Sequence, residues 1–142
     1  MSAAPDFTSS TGPLISAVLE ALRSNAEVQA AYGVPARIYD ADVPGATYPY
    51  AVLERSEAQV ADGVSHRGLE HTLHFASYAR HSGVEASKGL ISVLRRAVEQ
   101  MTLDVVDQRI VLVLPTYCDV LRTKNQNVLR GMLRVRLRTE EV

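Results

Sequence analysis

The sequence predicts an α+β fold: a mainly antiparallel sheet with two main helices packed on one face, and a long β-hairpin. Three observations predict it. Apolar residues recur at helical spacing from Leu14 to Leu22 and from Leu90 to Met101. The last segment, Leu129 to Arg138, alternates with period two between an apolar set and a set of mostly arginines. Between these lie runs rich in β-branched and aromatic residues, separated by turn formers. At 142 residues, 46% hydrophobic and 22% charged, the chain has the size and composition of one globular domain. The expected division is a flexible N-terminal segment, residues 1–12, and a single domain, residues 13–142.

The first helix is expected to start at Pro13, whose fixed φ suits a first turn, with Ser10 and Thr11 available as caps. Leu14, Ile15, Val18, Leu19 and Leu22 form its buried stripe. Ser24 and Glu27 have capping-box spacing, so a short second helix should run through Val28 and Tyr32 and end at Gly33. Ala36 to Tyr39 reads as a short strand, and Pro44, Gly45 and Pro49 make Asp40 to Pro49 a loop.

Tyr50 to Val60 and Leu69 to Ala79 read as two strands of a long hairpin that turns through Asp62, Gly63 and Ser65. In the second strand Leu69, Leu73 and Phe75 face the core, and Glu70, Thr72, His74 and Tyr78 face away. A capping box at Ser82 and Glu85 opens a third helix whose stripe is Leu90, Ile91, Leu94, Val98 and Met101, with Lys88, Arg95, Arg96 and Glu99 outside. Gly89 is expected to be a packing glycine that lets this helix approach the sheet. Ile110 to Leu121 is apolar on both faces, which fits a central strand covered on both sides or a strand sealed by a neighbouring subunit. Pro115 within it implies a bulge or an edge. After a polar turn from Lys124 to Asn127, the last strand runs from Val128 to about Arg138.

A formal net charge of -1 gives no general attraction to nucleic acid or anionic lipid. No run approaches the roughly 20 apolar residues needed to cross a bilayer, so a soluble, intracellular protein is expected. The lone Cys118, set in an apolar run, is expected to be a small buried side chain.

The last strand carries the sharpest pattern. Leu129, Gly131, Leu133, Val135 and Leu137 alternate with Arg130, Met132, Arg134, Arg136 and Arg138, placing successive guanidinium groups about 7 Å apart on one face. Such a row repels itself and calls for acidic partners. These are either carboxylates of the same sheet such as Glu54 or Glu57, an acidic patch on another protein, or a phosphate backbone. A nucleic-acid-binding module using this strand is the alternative to a protein contact. It is the weaker one, because the strand itself lacks the aromatic residues that stack on bases.

No catalytic or cofactor constellation emerges. His71 and His74 fall on opposite strand faces, no cysteine completes a metal set with them or with His66 and His81, and none is expected. Ser65 and His66 are adjacent in a turn, without a nucleophile elbow. Asp40 and Asp42 stand beside Pro44 and Gly45, where aspartates stabilise turns.

Across nearly the whole chain, the landmarks in order resemble those of the small tail-completion proteins of long-tailed phages, prophages and gene transfer agents. They are Ala36-Arg37-Ile38-Tyr39-Asp40, Tyr48-Pro49-Tyr50-Ala51-Val52, His71-Thr72-Leu73-His74-Phe75 with Ser77 and Arg80, the helix with Leu90-Ile91-Leu94, and Leu129 to Arg136. The resemblance implies a structural tail terminator: a homo-oligomeric ring, commonly hexameric, that caps the tail tube and joins it to the head-neck connector. Its partners would be the major tail tube protein and the connector or stopper protein, with DNA only passing through the lumen and no membrane. Its place would be the neck-proximal end of the virion tail, after synthesis in the bacterial host cytoplasm. On this reading Arg130, Arg134, Arg136 and Arg138, with Asp62 and Gly63 at the hairpin tip, are the candidate interface residues.

Overall fold

The computed structural model describes residues 7–62, 67–80, 83–124 and 127–142, with side chains from residue 11 onward. Its elements are α1 (Phe7–Ser24), α2 (Ala26–Tyr32), β1 (Ile38–Tyr39), β2 (Tyr50–Val60), β3 (Gly68–Arg80), α3 (Gly83–Gln100), β4 (Gln108–Arg122) and β5 (Val128–Glu141). The strands form one sheet in the order β1-β2-β3-β5-β4. The β2–β3, β3–β5 and β5–β4 pairs are antiparallel, and the short β1 runs parallel to β2. This is the expected α+β architecture.

Strand periodicity decides where the core lies. Leu73 and Phe75 of β3 and Leu133, Val135 and Leu137 of β5 point to the same face. There they pack against Leu14, Val18 and Leu22 of α1, Val28 and Tyr32 of α2, and Ile91, Leu94 and Val98 of α3. The three helices of the described residues thus share one core on one face, and among the described residues the other face carries no helix. Polar contacts help to hold the helices to the sheet and to one another. The buried Tyr32 hydroxyl lies 2.8 Å from Ser77 Oγ of β3, and Arg96 of α3 reaches Glu27 of α2 at 3.0 Å.

Several local expectations are corrected. Helix α1 begins at Phe7, not at Pro13, which lies inside it. Proline forfeits one hydrogen bond but keeps helical φ, so the helix continues upstream of it. The cap of α2 is Asn25, whose Oδ1 accepts from the Val28 amide at 3.1 Å, while the Ser24 hydroxyl turns back to Glu20 at 3.3 Å. The helix ends as expected at Gly33, where φ of 99° favours a residue without Cβ. Ser82, the expected cap of α3, and Ser65 lie outside the described residues.

Gly89 is exposed, and a Cβ built on it meets nothing within 4 Å. The close approach between α3 and the sheet is made at Gly131 of β5, where a Cβ would stand 2.5 Å from Ile91 Cγ1. Strand β4 is not central: it forms the outer edge, and β5 lies between it and β3. Its register slips between Ile110 and Leu112 and again between Pro115 and Tyr117, the irregularity that Pro115 implied. A strand with two slips and a missing N–H cannot pair regularly on both sides, whereas the uninterrupted β5 can. Cys118 is exposed on β4 rather than buried, because α3 leaves an open hollow over it at the sheet edge.

Candidate functional site

The open face of the sheet presents the even-numbered residues of β5 between contributions from β3 and β4. In register across it, Arg130 stands between Tyr78 and Leu121, Arg134 between His74 and Tyr117, and Arg136 between Thr72 and Leu114. Each arginine of the row has a partner within the chain. Arg130 is ion-paired to Glu54 and donates from Nε to the Tyr78 hydroxyl at 3.2 Å; Tyr78 in turn donates to Glu54 at 2.6 Å. The Arg134 guanidinium lies over the Tyr117 ring, 5.0 Å from its centre. Arg136 Nε is 3.5 Å from Glu70, and Arg138 donates to the Ala61 carbonyl at 2.9 Å.

The row is therefore not uniform. Arg130 and Arg138 are half-buried and hold β2 against β3 and β5, while Arg134 and Arg136 stay exposed. Of the two acids named from sequence, Glu54 meets the row and Glu57 does not. Glu57 pairs instead with His74 at 2.8 Å and with Arg55 at 3.3 Å. Asp62 closes the end of the hairpin by accepting from the Gly68 amide at 3.0 Å, and Gly63 lies outside the described residues.

Two features were not singled out in the sequence. The first is a tyrosine cluster at one end of the open face. Tyr50 stacks on Tyr78 at 5.2 Å and meets Tyr48 at 5.5 Å and Tyr39 at 6.2 Å, and Arg80 lies over Tyr48 at 4.7 Å. Burial among these rings, followed by the neighbouring negative groups, holds the Tyr50 phenol above the ordinary tyrosine range. The signal was present in Tyr48-Pro49-Tyr50, but only pairing with β3 brings Tyr78 to it. The second is the bare edge of β4, where Val111, Leu114, Tyr117 and Leu121 are 41–48% exposed.

The histidines divide as strand geometry requires. His71 is buried on the helix side and bonds Thr139 at 3.1 Å, while His74 lies on the open face. His66 and His81 lie outside the described residues, and among the described residues no three metal-ligating groups converge. Asp40 and Asp42 are exposed in the loop ahead of β2. No helix of the described residues is long and apolar enough to cross a membrane. The site so built is a broad, mixed-charge sheet face with an apolar edge.

Comparison with known families places the chain. The sequence model described as tail completion protein gp17 matches residues 16–140. The chain belongs to this tail-completion family. It is thereby a structural component of the virion tail. A chain in the virion of a native gene transfer agent particle has the same fold, with a TM-score of 0.79 and 24% identity over 92% of this chain and 96% of that one. No curated protein sequence matches.

Proposed function

We propose that this tail-completion protein is a tail terminator: copies close into a hexameric ring that caps the finished tail tube, stops its growth and joins it to the head-neck connector. DNA passes through the lumen without being read. The observation that carries the reading is β4, an edge strand of 15 residues with Leu114, Tyr117 and Leu121 bare to solvent. Long edges of that kind promote association, and chains that stay single protect them. The tube protein and the connector meet the remaining open surfaces. Arg130, Arg134, Arg136 and Arg138, with Asp62 and Gly63, are the proposed interface residues.

The nucleic-acid alternative gains something from Tyr117 beside Arg134, because neighbouring strands supply the aromatic rings that β5 lacks. Glu54, Glu57 and Glu70 nevertheless share the same face and offset its positive charge, so protein contact is the better reading. Electron micrographs of particles from a strain lacking this gene test it. Tails of uncontrolled length, or tails without heads, are expected; headed tails of normal length would overturn it. Measurable DNA affinity that falls steeply with salt would favour the alternative.

A further inference from the structure

The two edges of the sheet differ in a complementary way. The β4 edge exposes Leu114, Tyr117 and Leu121 and ends in Arg122 and Lys124, both exposed and neither in an ion pair among the described residues. The opposite edge, β1 with the loop into β2, exposes Asp40, Asp42 and the apolar Val43. The basic end of β4 and this acidic loop lie toward the same end of the sheet, because the register runs across it from Tyr50 to Tyr78, Arg130 and Leu121, with Arg122 next along. Tyr117 and Leu114 lie further along β4, level with Arg134 and Arg136. Asp42 lines a hollow with Tyr48, Tyr50 and Arg80 at that same end.

Strand directions add a further constraint. Because β2–β3, β3–β5 and β5–β4 are each antiparallel, β4 runs opposite to β2. Rotating a copy about an axis along the strands keeps these directions and levels. It sets the basic, apolar β4 edge of one copy beside the acidic β1–β2 edge of the next. A contact between two different edges repeats on every copy and closes into a ring when the rotation closes.

We propose that β4 is the docking edge for a second copy of this chain, joined head to tail. Arg122 and Lys124 meet Asp40 and Asp42 of the neighbour, and Leu114, Tyr117 and Leu121 are covered along the seam. Burying that apolar strip supplies attraction, and the charges fix which edges meet. The slips around Pro115 bar a continuous ladder of backbone bonds, so side chains carry the seam. The inference rests on the ring reading and specifies which surfaces make the ring.

Charge reversal in a particle-producing strain, read by cross-linking of isolated particles, tests it. Wild-type particles should yield a ladder of cross-linked copies of this chain. Arg122→Glu with Lys124→Glu, and separately Asp40→Lys with Asp42→Lys, should each cut the ladder by about tenfold or more. All four substitutions in one chain, or co-expression of the two double variants, should restore it. A ladder unmoved by either reversal overturns the proposal, as does failed restoration by a four-fold variant that melts like the wild type. Cross-links from β4 to a different tail protein overturn the assignment of a second copy. Wild-type particles without any ladder defeat the ring reading itself.

Discussion

Gly131 of β5 lies directly beneath Ile91 of α3, with no space for a methyl group between them. Ile91 is 3% exposed, so its side chain must shift within a packed layer to make room. Gly131→Ala should therefore destabilise the fold by about 1–3 kcal/mol, less the few tenths to one that alanine regains in backbone entropy. In an Ile91→Ala background the same change should cost little. A double-mutant cycle by urea unfolding checks this, and additive effects would show that the two residues do not press on one another.

Tyr32 joins α2 to the sheet through Ser77 at 2.8 Å, and also reaches the Leu90 carbonyl of α3 at 3.3 Å. Burial holds its phenol well above the ordinary tyrosine range, so the hydroxyl stays protonated and able to donate. Tyr32→Phe keeps the ring but leaves Ser77 without this partner in the core. The expected loss is about 1–2 kcal/mol, measured by denaturant midpoint at unchanged slope. An unchanged midpoint would mean that the bond contributes nothing net.

His71 is 1% exposed, and burial pushes its pKa below the ordinary histidine value of 6.5. The unfolded chain therefore binds a proton more readily than the folded one. The stability linked to neutral His71 is fully present above about pH 6.5 and is lost as pH falls below it toward the folded pKa, at up to about 1.4 kcal/mol per pH unit. Unfolding measured from pH 7.5 down to about 5 should show this slope, and His71→Gln should flatten it. A slope that persists in the variant would assign the effect to other groups.

Cys118 is exposed, yet partial burial, the largest influence on it, raises its thiol above the ordinary cysteine range. The native protein should therefore be alkylated without unfolding, slowly near about pH 7 and faster as pH rises. Reaction only in denaturant would contradict the exposed position. Protection of Cys118 within particles, with reaction of the free chain, would agree with a covered β4 edge.

Much of this was legible in the residues. The alternation along β5 foretold one core face and one arginine face, and the stripes of α1 and α3 foretold the helical layer, because side-chain direction follows from local backbone geometry alone. Three misreadings have one cause. Ser24, Gly89 and Cys118 were judged by their immediate neighbours, but Asn25 won the cap, Gly131 made the close approach, and α3 covers Cys118 only in part. Competition between adjacent caps and distances between remote segments are not written in local spacing.

The sequence by itself determined which segments are helix or strand, which face of each is apolar, and the family to which the chain belongs. Only the tertiary structure decided that β5 lies inside the sheet and β4 at its edge, that each arginine of the row has an internal partner, and that four tyrosines meet at one end. The reason is physical. An apolar strand reads the same whether its cover comes from its own chain or from another molecule, since both remove the same surface from water. Only the order of strands distinguishes them, and it left β4 at the edge.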